Sequence, residues 1–463
     1  MSLIPRDPQI DSTISLWKEG YEFIWNRCRA YGSDIFLTRI MGQQAICIHG
    51  REAAELFYDE SKVQRTGAVP RRVTASLGKS SVHTLDGDAH RERKQAFLAL
   101  MSPASIERLM DETARQWRIA IRSWEHADAV VLFDEVERVL TRAVCAWAEV
   151  PLEPEDVPRR ARDFGRMVDA FGGVGPRLWR GKLARGRTER WITPIVEDAR
   201  RSPRGDPRSP LRIMAGLRGE DGGPLDARTA AVELINVLRP TVAVSWYIAF
   251  AALALHQHPE ASARMACEPI GAGEYADLFT QEVRRFYPFT PYLAAKVRTP
   301  FEWRGQRFEP GHLVLLDVYG ASRDPSLWGA PDEFRPERFR RWNGGAFDFI
   351  PQGGGDRLGH RCPGEWITMH NVALALHFLT RCMRYWVTPG QDLRVDLTRM
   401  PARPGSGFVM QEVRALPALE GKAPRLPSLA AARGSAAAAG VGRAGVDGDG
   451  SPHPSRRNRG AAL

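Results

Sequence analysis

Apolar residues recur at three- and four-residue spacing from position 106 to 148, as in ERLMDETARQWRIAIRSWEHA. That period predicts amphipathic helix. Residues 234–255 (LINVLRPTVAVSWYIAFAALAL) are apolar on every face. Their length would cross a bilayer. However, Arg239 and Pro240 interrupt the first quarter and no basic flank follows, so a buried central helix is the favoured reading over an integral membrane segment. Short strand-like pieces occur at 35–38, 45–48 and 313–316. They are few, so the fold class is mainly α with minor β. Residues 201–226 are rich in Pro, Gly and charge and predict a surface loop, with Asp226 capping the apolar helix that follows. The last 46 residues, 418–463, contain ARGSAAAAGVGRAGVDGDGSPHPSRRNRGAAL and no Phe, Trp or Tyr. Such an Ala/Gly/Pro/Arg-rich composition cannot offset its ordering entropy and predicts a disordered tail. Residues 1–417 read as one continuous unit.

Charge and cysteine usage narrow the classes further. The 463-residue chain carries +10, of which the tail supplies +4 (seven Lys/Arg against three Asp/Glu). The remaining +6 is spread without blocks, and no basic stripe interleaved with aromatics appears, which argues against a nucleic-acid partner. Six cysteines, at 28, 47, 145, 267, 362 and 382, include no C-x-x-C pair. A disulfide scaffold and a cysteine-based zinc site are both disfavoured. With no signal-like run at the start, a cytoplasmic, reducing location is expected.

The stretch from Phe349 to Leu379, FIPQGGGDRLGHRCPGEWITMHNVALALHFL, concentrates candidate chemistry. Glycines let a backbone pass close to a flat ligand and aim N–H groups at sulfur. Cys362 precedes an apolar helix whose positive end is expected to favour thiolate. A dry thiolate beside a glycine-rich loop suits an axial ligand to haem iron. Alone, the same residues also fit an inert cysteine, or a nucleophile paired with His360.

Two further elements separate these readings. Glu282 and Arg285 (QEVRRFYPF) lie three apart and share a helix face. PDEFRPERF then offers Arg338. This order, ending in the Cys-Pro-Gly-Glu loop, resembles the cytochrome P450 superfamily through nearly all of residues 1–417. The resemblance implies a cytochrome P450 fold: a single large domain with haem b buried between the central distal helix and the helix after the cysteine loop. It implies Cys362 as the axial iron ligand, and a buried charge network of Glu282, Arg285 and Arg338 supporting the cysteine loop. It also places Arg65, His90, Lys94 and His360 at the haem propionates. The loop departs from the superfamily pattern: Gly355 replaces the usual phenylalanine, and Leu358 the usual glycine, so the packing near sulfur should differ.

The central helix lacks the superfamily's acid–alcohol pair; Arg239 and Pro240 precede Thr241 instead. An unpaired buried guanidinium is costly. The nearest acid, Glu233, is six residues away on another face. Arg239 therefore needs an acid from another segment, a haem propionate or a ligand carboxylate. Pro240 should kink the helix and open room. The Arg-Pro pair resembles the fatty-acid peroxygenases of the superfamily. That resemblance implies H2O2-dependent hydroxylation at Cα or Cβ of a long-chain fatty acid, or decarboxylation to a terminal alkene. Arg239 would hold the carboxylate, the carboxylate would serve as acid–base group, and no redox partner would be required. His83 falls near the distal face, where histidine is associated with the alkene-forming branch. Leu77, Phe289 and Thr290 match positions that line the substrate pocket. The alternative is a conventional monooxygenase fed by a redox partner; a non-catalytic haem or lipid binder is a third reading.

Overall fold

The structure, a computed structural model, describes residues 4–69, 78, 81–202, 204–219, 221–268, 274–342 and 344–421. The periodic stretch at 106–148 folds as two helices, Pro103–Trp124 and Leu132–Ala148. The first starts cleanly because Pro103 sits at its first position and the Ser102 hydroxyl accepts from the Ser105 N–H. A two-residue strand, β4 (Val130–Val131), separates them.

The expected strands form and extend slightly. β1 (Ile35–Ile40) and β2 (Gln43–Ile48) make a hairpin, with Ile35 opposite Ile48. β2 then pairs in parallel with β8 (Leu313–Asp317). β5 (Tyr292–Val297) and β3 (Val63–Gln64) complete a sheet of order β1-β2-β8-β5-β3. β8 is buried along its whole length, as its LVLLD sequence requires. A second sheet joins β4 to a late hairpin of β9 (Met383–Val387) and β10 (Val409–Ala415).

Asp226 caps the central helix through the Thr229 N–H at 2.9 Å. The Pro/Gly-rich connection before it is not wholly a loop, because it holds a helix at Pro210–Ala215. The central helix runs Ala227–Val242, breaks at Ala243 and resumes as Val244–Gln257. The break lies three residues beyond Pro240, so the backbone keeps helical form through the proline and gives way one turn later. By length and composition this helix pair could span a membrane, but 94% of its most apolar window is buried in the protein. It is the core helix of the domain.

The fold continues past the expected boundary at 417. A short turn of helix, Pro417–Glu420, buries Leu419, and Arg118 donates to the carbonyls of Leu419 and Gly421 at 3.0 and 2.8 Å. The expected tail from 422 to 463 lies outside the described residues.

Candidate active site

A cavity of ≈ 400 Å³ is lined by three groups of elements. One is the cysteine loop with the start of the helix Glu365–His377. Another is the central helix from Asn236 to Tyr247. Between them come the turn Val82–Thr84, the helix Gly87–Ala99 and the Phe289–Thr290 segment. Hence the structure brings His83, His90, Lys94, Arg239, Pro240, Phe289, Thr290, His360 and Cys362 to one space. Leu77 lies outside the described residues.

Glycine shapes the cysteine loop. Gly353 has φ +92°, and a Cβ there would lie 2.9 Å from the Tyr58 hydroxyl. A Cβ on Gly354 would lie 2.8 Å from the Ala346 carbonyl. At Gly355 the nearest atoms belong to Phe347 and Tyr58. These two rings, rather than an aromatic within the loop itself, fill the space where the sequence departs from the superfamily pattern. The Cys362 N–H donates to the Gln352 carbonyl at 3.0 Å, and the helix begins three residues after the cysteine.

The expectation of a thiolate favoured by the helix end needs correction. Burial pushes the Cys362 thiol up, and the Glu365 charge adds to this. The Gly364 N–H, Lys94 and Arg284 pull the other way and do not compensate. One helix terminus offsets less than the cost of burying the anion. A metal cation at Sγ is what would hold this residue as thiolate.

One edge of the cavity carries cationic and donor groups. The rings of His90 and His360 stack at 4.0 Å. His90 Nδ1 is buried without a hydrogen-bond partner, as is Nη1 of Arg65 in the adjoining space beside His360, whose own Nε2 faces Asp86. Burial, followed by neighbouring positive charge, holds His90 down to about 3, so it is neutral at pH 7. Arg65 stacks on Phe57 at 4.0 Å. Lys94 donates to the Arg361 carbonyl, and burial lowers it to about 8. Asp86 accepts the N–H groups of Arg65 and Thr66 and lies 3.5 Å from His360. Unsatisfied donors at the edge, a cysteine on one wall and apolar surroundings fit haem b. Cys362 would hold its iron, and Arg65, His90, Lys94 and His360 would face its carboxylates.

Glu282, Arg285 and Arg338 also come together, away from the cavity. Arg285 grips Glu282 through two nitrogens, each at 2.7 Å, and Arg338 Nε lies 3.1 Å from the same carboxylate. Arg285 and Arg338 also donate to carbonyls between Ser322 and Glu333. The turn Pro336–Arg341 is thereby fixed, and its Phe339 packs on Phe349 at 5.2 Å, where the cysteine loop begins.

Arg284 and Gln352 escaped the sequence reading. Arg284 turns to the other face, pairing with Glu365 and donating to Gln352 Oε1 at 3.1 Å. Gln352 donates in turn to Thr368 at 3.0 Å and sits 3.9 Å from Cys362 Sγ. The available signal was the Glu of Cys-Pro-Gly-Glu, which needs a cation when buried.

On the distal side Arg239 is 2% exposed, and its Nε and Nη1 have no partner. Among the described residues no carboxylate lies within 4.0 Å of it. Glu233 is committed elsewhere, to Arg93 at 2.6 Å, the Val82 N–H at 2.8 Å and Asn236 Nδ2 at 3.1 Å. The Arg239 guanidinium rests over Phe171, 5.1 Å from the ring centre. Burial, then repulsion from Arg185, lowers Arg239 to about 9. His83 lines the cavity and keeps more than a third of its surface accessible; desolvation by the surrounding protein, then Arg239, lowers its pKa and leaves a neutral imidazole. The Thr241 hydroxyl is occupied by the Val237 carbonyl at 2.9 Å.

Comparison with known proteins agrees with this architecture. The cytochrome P450 family profile matches residues 246–414. Cytochrome P450SP alpha (CYP152B1), solved in complex with (R)-ibuprophen, is 43% identical, with 87% of this chain and 99% of that one covered and a TM-score of 0.84. Cytochrome P450EX alpha (CYP152N1), solved with myristic acid, is 39% identical over 90% of this chain and 100% of that one, at TM-score 0.85. A variant of cytochrome P450 OleT in complex with arachidonic acid is 36% identical over 90% and 99%, at TM-score 0.86. At this identity and coverage the chain belongs to the CYP152 family of cytochromes P450 and is a haem-thiolate oxidoreductase.

Proposed function

We propose that the protein oxidises long-chain fatty acids with H2O2, hydroxylating Cα or Cβ or releasing the carboxyl group to leave a terminal alkene. The observation that carries this reading is Arg239: a buried guanidinium with two unpartnered N–H groups on the wall of a largely apolar cavity. A carboxylate is the acceptor that a buried guanidinium with unpartnered N–H groups calls for. A hydrocarbon chain suits the remaining walls. The relatives solved with myristic and arachidonic acid support the substrate class.

Haem b, bound through Cys362, would supply the oxidising chemistry. The chain's own residues bind and orient. Arg239 fixes the carboxylate, so the first carbons beyond it are the ones presented for oxidation. His83, neutral at pH 7, can donate or accept a hydrogen bond through its ring but has no imidazolium proton to supply. Thr241 is tied to the backbone. The group left to move a proton during peroxide cleavage is the substrate's carboxylate beside Arg239. Such a site draws its oxidant from peroxide, and we place the enzyme in the cytoplasm with no redox partner required.

The test is a titration of haem-loaded protein with myristic acid, followed by the Soret shift. Arg239→Ala should weaken binding by about a hundredfold or more, the scale of a truncated buried charge pair. Unchanged affinity would assign Arg239 a structural role and remove the basis for this reading.

A further inference from the structure

We propose that Asn236 is the docking point for hydrogen peroxide, which it holds through two oxygen acceptors, its side-chain Oδ1 and its backbone carbonyl. The proposal rests on the peroxide-driven reading above. Asn236 lines the same cavity as Arg239 and His83 and is 5% exposed. Its Nδ2 donates to Glu233 Oε2 at 3.1 Å. That carboxylate is itself held by Arg93 and the Val82 N–H. A carboxylate only accepts, so the amide is locked with nitrogen toward Glu233. Oδ1 is the free atom, and it is buried with no partner.

The second acceptor follows from Pro240. In an α-helix the carbonyl of Asn236 takes its hydrogen bond from the residue four positions on. Here that residue is Pro240, which has no N–H. One residue therefore presents an unpartnered side-chain oxygen and a carbonyl without its usual helical donor, next to Arg239 on the same helical face. A buried acceptor left unpaired is costly, so this place calls for O–H or N–H groups.

The ligand's chemistry decides which molecule fits. A fatty-acid carboxylate has only acceptors; it is repelled by Asn236 and drawn to Arg239. Hydrogen peroxide carries two O–H donors and complements the two oxygens. Water shares that chemistry and is the competing occupant. The distal helix thus presents donors for one substrate and acceptors for the other within one turn.

Two variants test this in haem-loaded protein at saturating myristic acid. Asn236→Ala removes Oδ1, and Pro240→Ala returns an N–H to the carbonyl while leaving the side chain in place. Each should raise the KM for H2O2 roughly tenfold, which corresponds to about 1.4 kcal/mol for one hydrogen bond. For Asn236→Ala, the kcat at saturating peroxide and the myristic acid Kd from the Soret shift should stay within about threefold, as a docking role predicts; for Pro240→Ala, the KM for H2O2 is compared at a myristic acid concentration that saturates that variant. An unchanged KM for H2O2 in both variants, with the wild type turning over, would mean the acceptors hold water only and overturns the proposal. A fall in kcat at unchanged KM in both also overturns it. If the wild type shows no peroxide-driven turnover, the parent reading fails and this one falls with it.

Discussion

Arg239 carries the largest unmet demand of any single residue in the site. Its charge is buried, its neighbours include Arg185, and its pKa has dropped to about 9. Two predictions follow from this state. Replacing it by Met removes an uncompensated charge, so the substrate-free Arg239→Met protein should be no less stable than wild type, and up to about 1–4 kcal/mol more stable. Denaturant unfolding checks this; a loss of several kcal/mol would reveal a protein partner instead. The second concerns pH. A cation whose pKa is lowered to about 9 stays charged below that value and is neutralised above it. Fatty-acid affinity should hold constant from pH 6 to 8 and fall above about pH 9, by at most tenfold per unit. His83, already neutral above about 3, should add no step between pH 5 and 8. Arg239 was legible in the sequence because it is a charge in an apolar run, and Cys362 because it stands between a glycine-rich loop and an apolar helix. Asn236 and Gln352 were not, because an amide's importance depends on which of its atoms the fold leaves unpaired.

The cysteine loop tests how strictly backbone conformation is required. Gly353 combines φ +92° with a Cβ position 2.9 Å from Tyr58 and 3.3 Å from the Arg361 backbone. Gly390 has φ +69° but open space around it. Gly353→Ala should therefore cost about 1–3 kcal/mol and reduce haem retention, measured by the haem absorbance left after gel filtration. Gly390→Ala should cost about 1 kcal/mol and leave haem retention unchanged. Equal haem loss in both would contradict the role given to the loop. The Glu282 carboxylate faces a similar test: Glu282→Ala leaves Arg285 and Arg338 buried without their anion, which should destabilise by about 3–5 kcal/mol. At this scale the sequence predicted the helices of 106–148, the central helix, the strand pieces at 35–38, 45–48 and 313–316 and the Asp226 cap from local signals alone; the pairing of the first two strands as a hairpin was not predicted. It expected Pro240 to kink the helix, and the structure interrupts the helix at Ala243, three residues on. A local reading of the sequence does not fix the residue at which the interruption falls. The net effect on the Cys362 thiol was missed for the same reason. Burial is a tertiary property, and here it outweighs the helix end.

For the whole molecule, the folded unit reaches Gly421, four residues past the boundary that composition suggested. Leu419 and the Arg118 contacts hold that last turn, and an apolar residue every few positions was too weak a signal beside the Ala/Gly-rich run. A chain ending at residue 421 should keep the melting temperature and fatty-acid affinity of the full protein; a drop of several degrees would show that residues 422–463 contribute to the fold. We propose that a buried arginine, on a proline-containing helix opposite a cysteine loop, recruits a fatty acid for peroxide-driven oxidation. The most direct measurement incubates haem-loaded protein with myristic acid and H2O2, without reductase or nicotinamide, and identifies products by mass spectrometry. The expected products are 2- or 3-hydroxy acids or a terminal alkene, lost in Arg239→Ala. Absence of product, with turnover restored only by an electron-transfer chain, would contradict it.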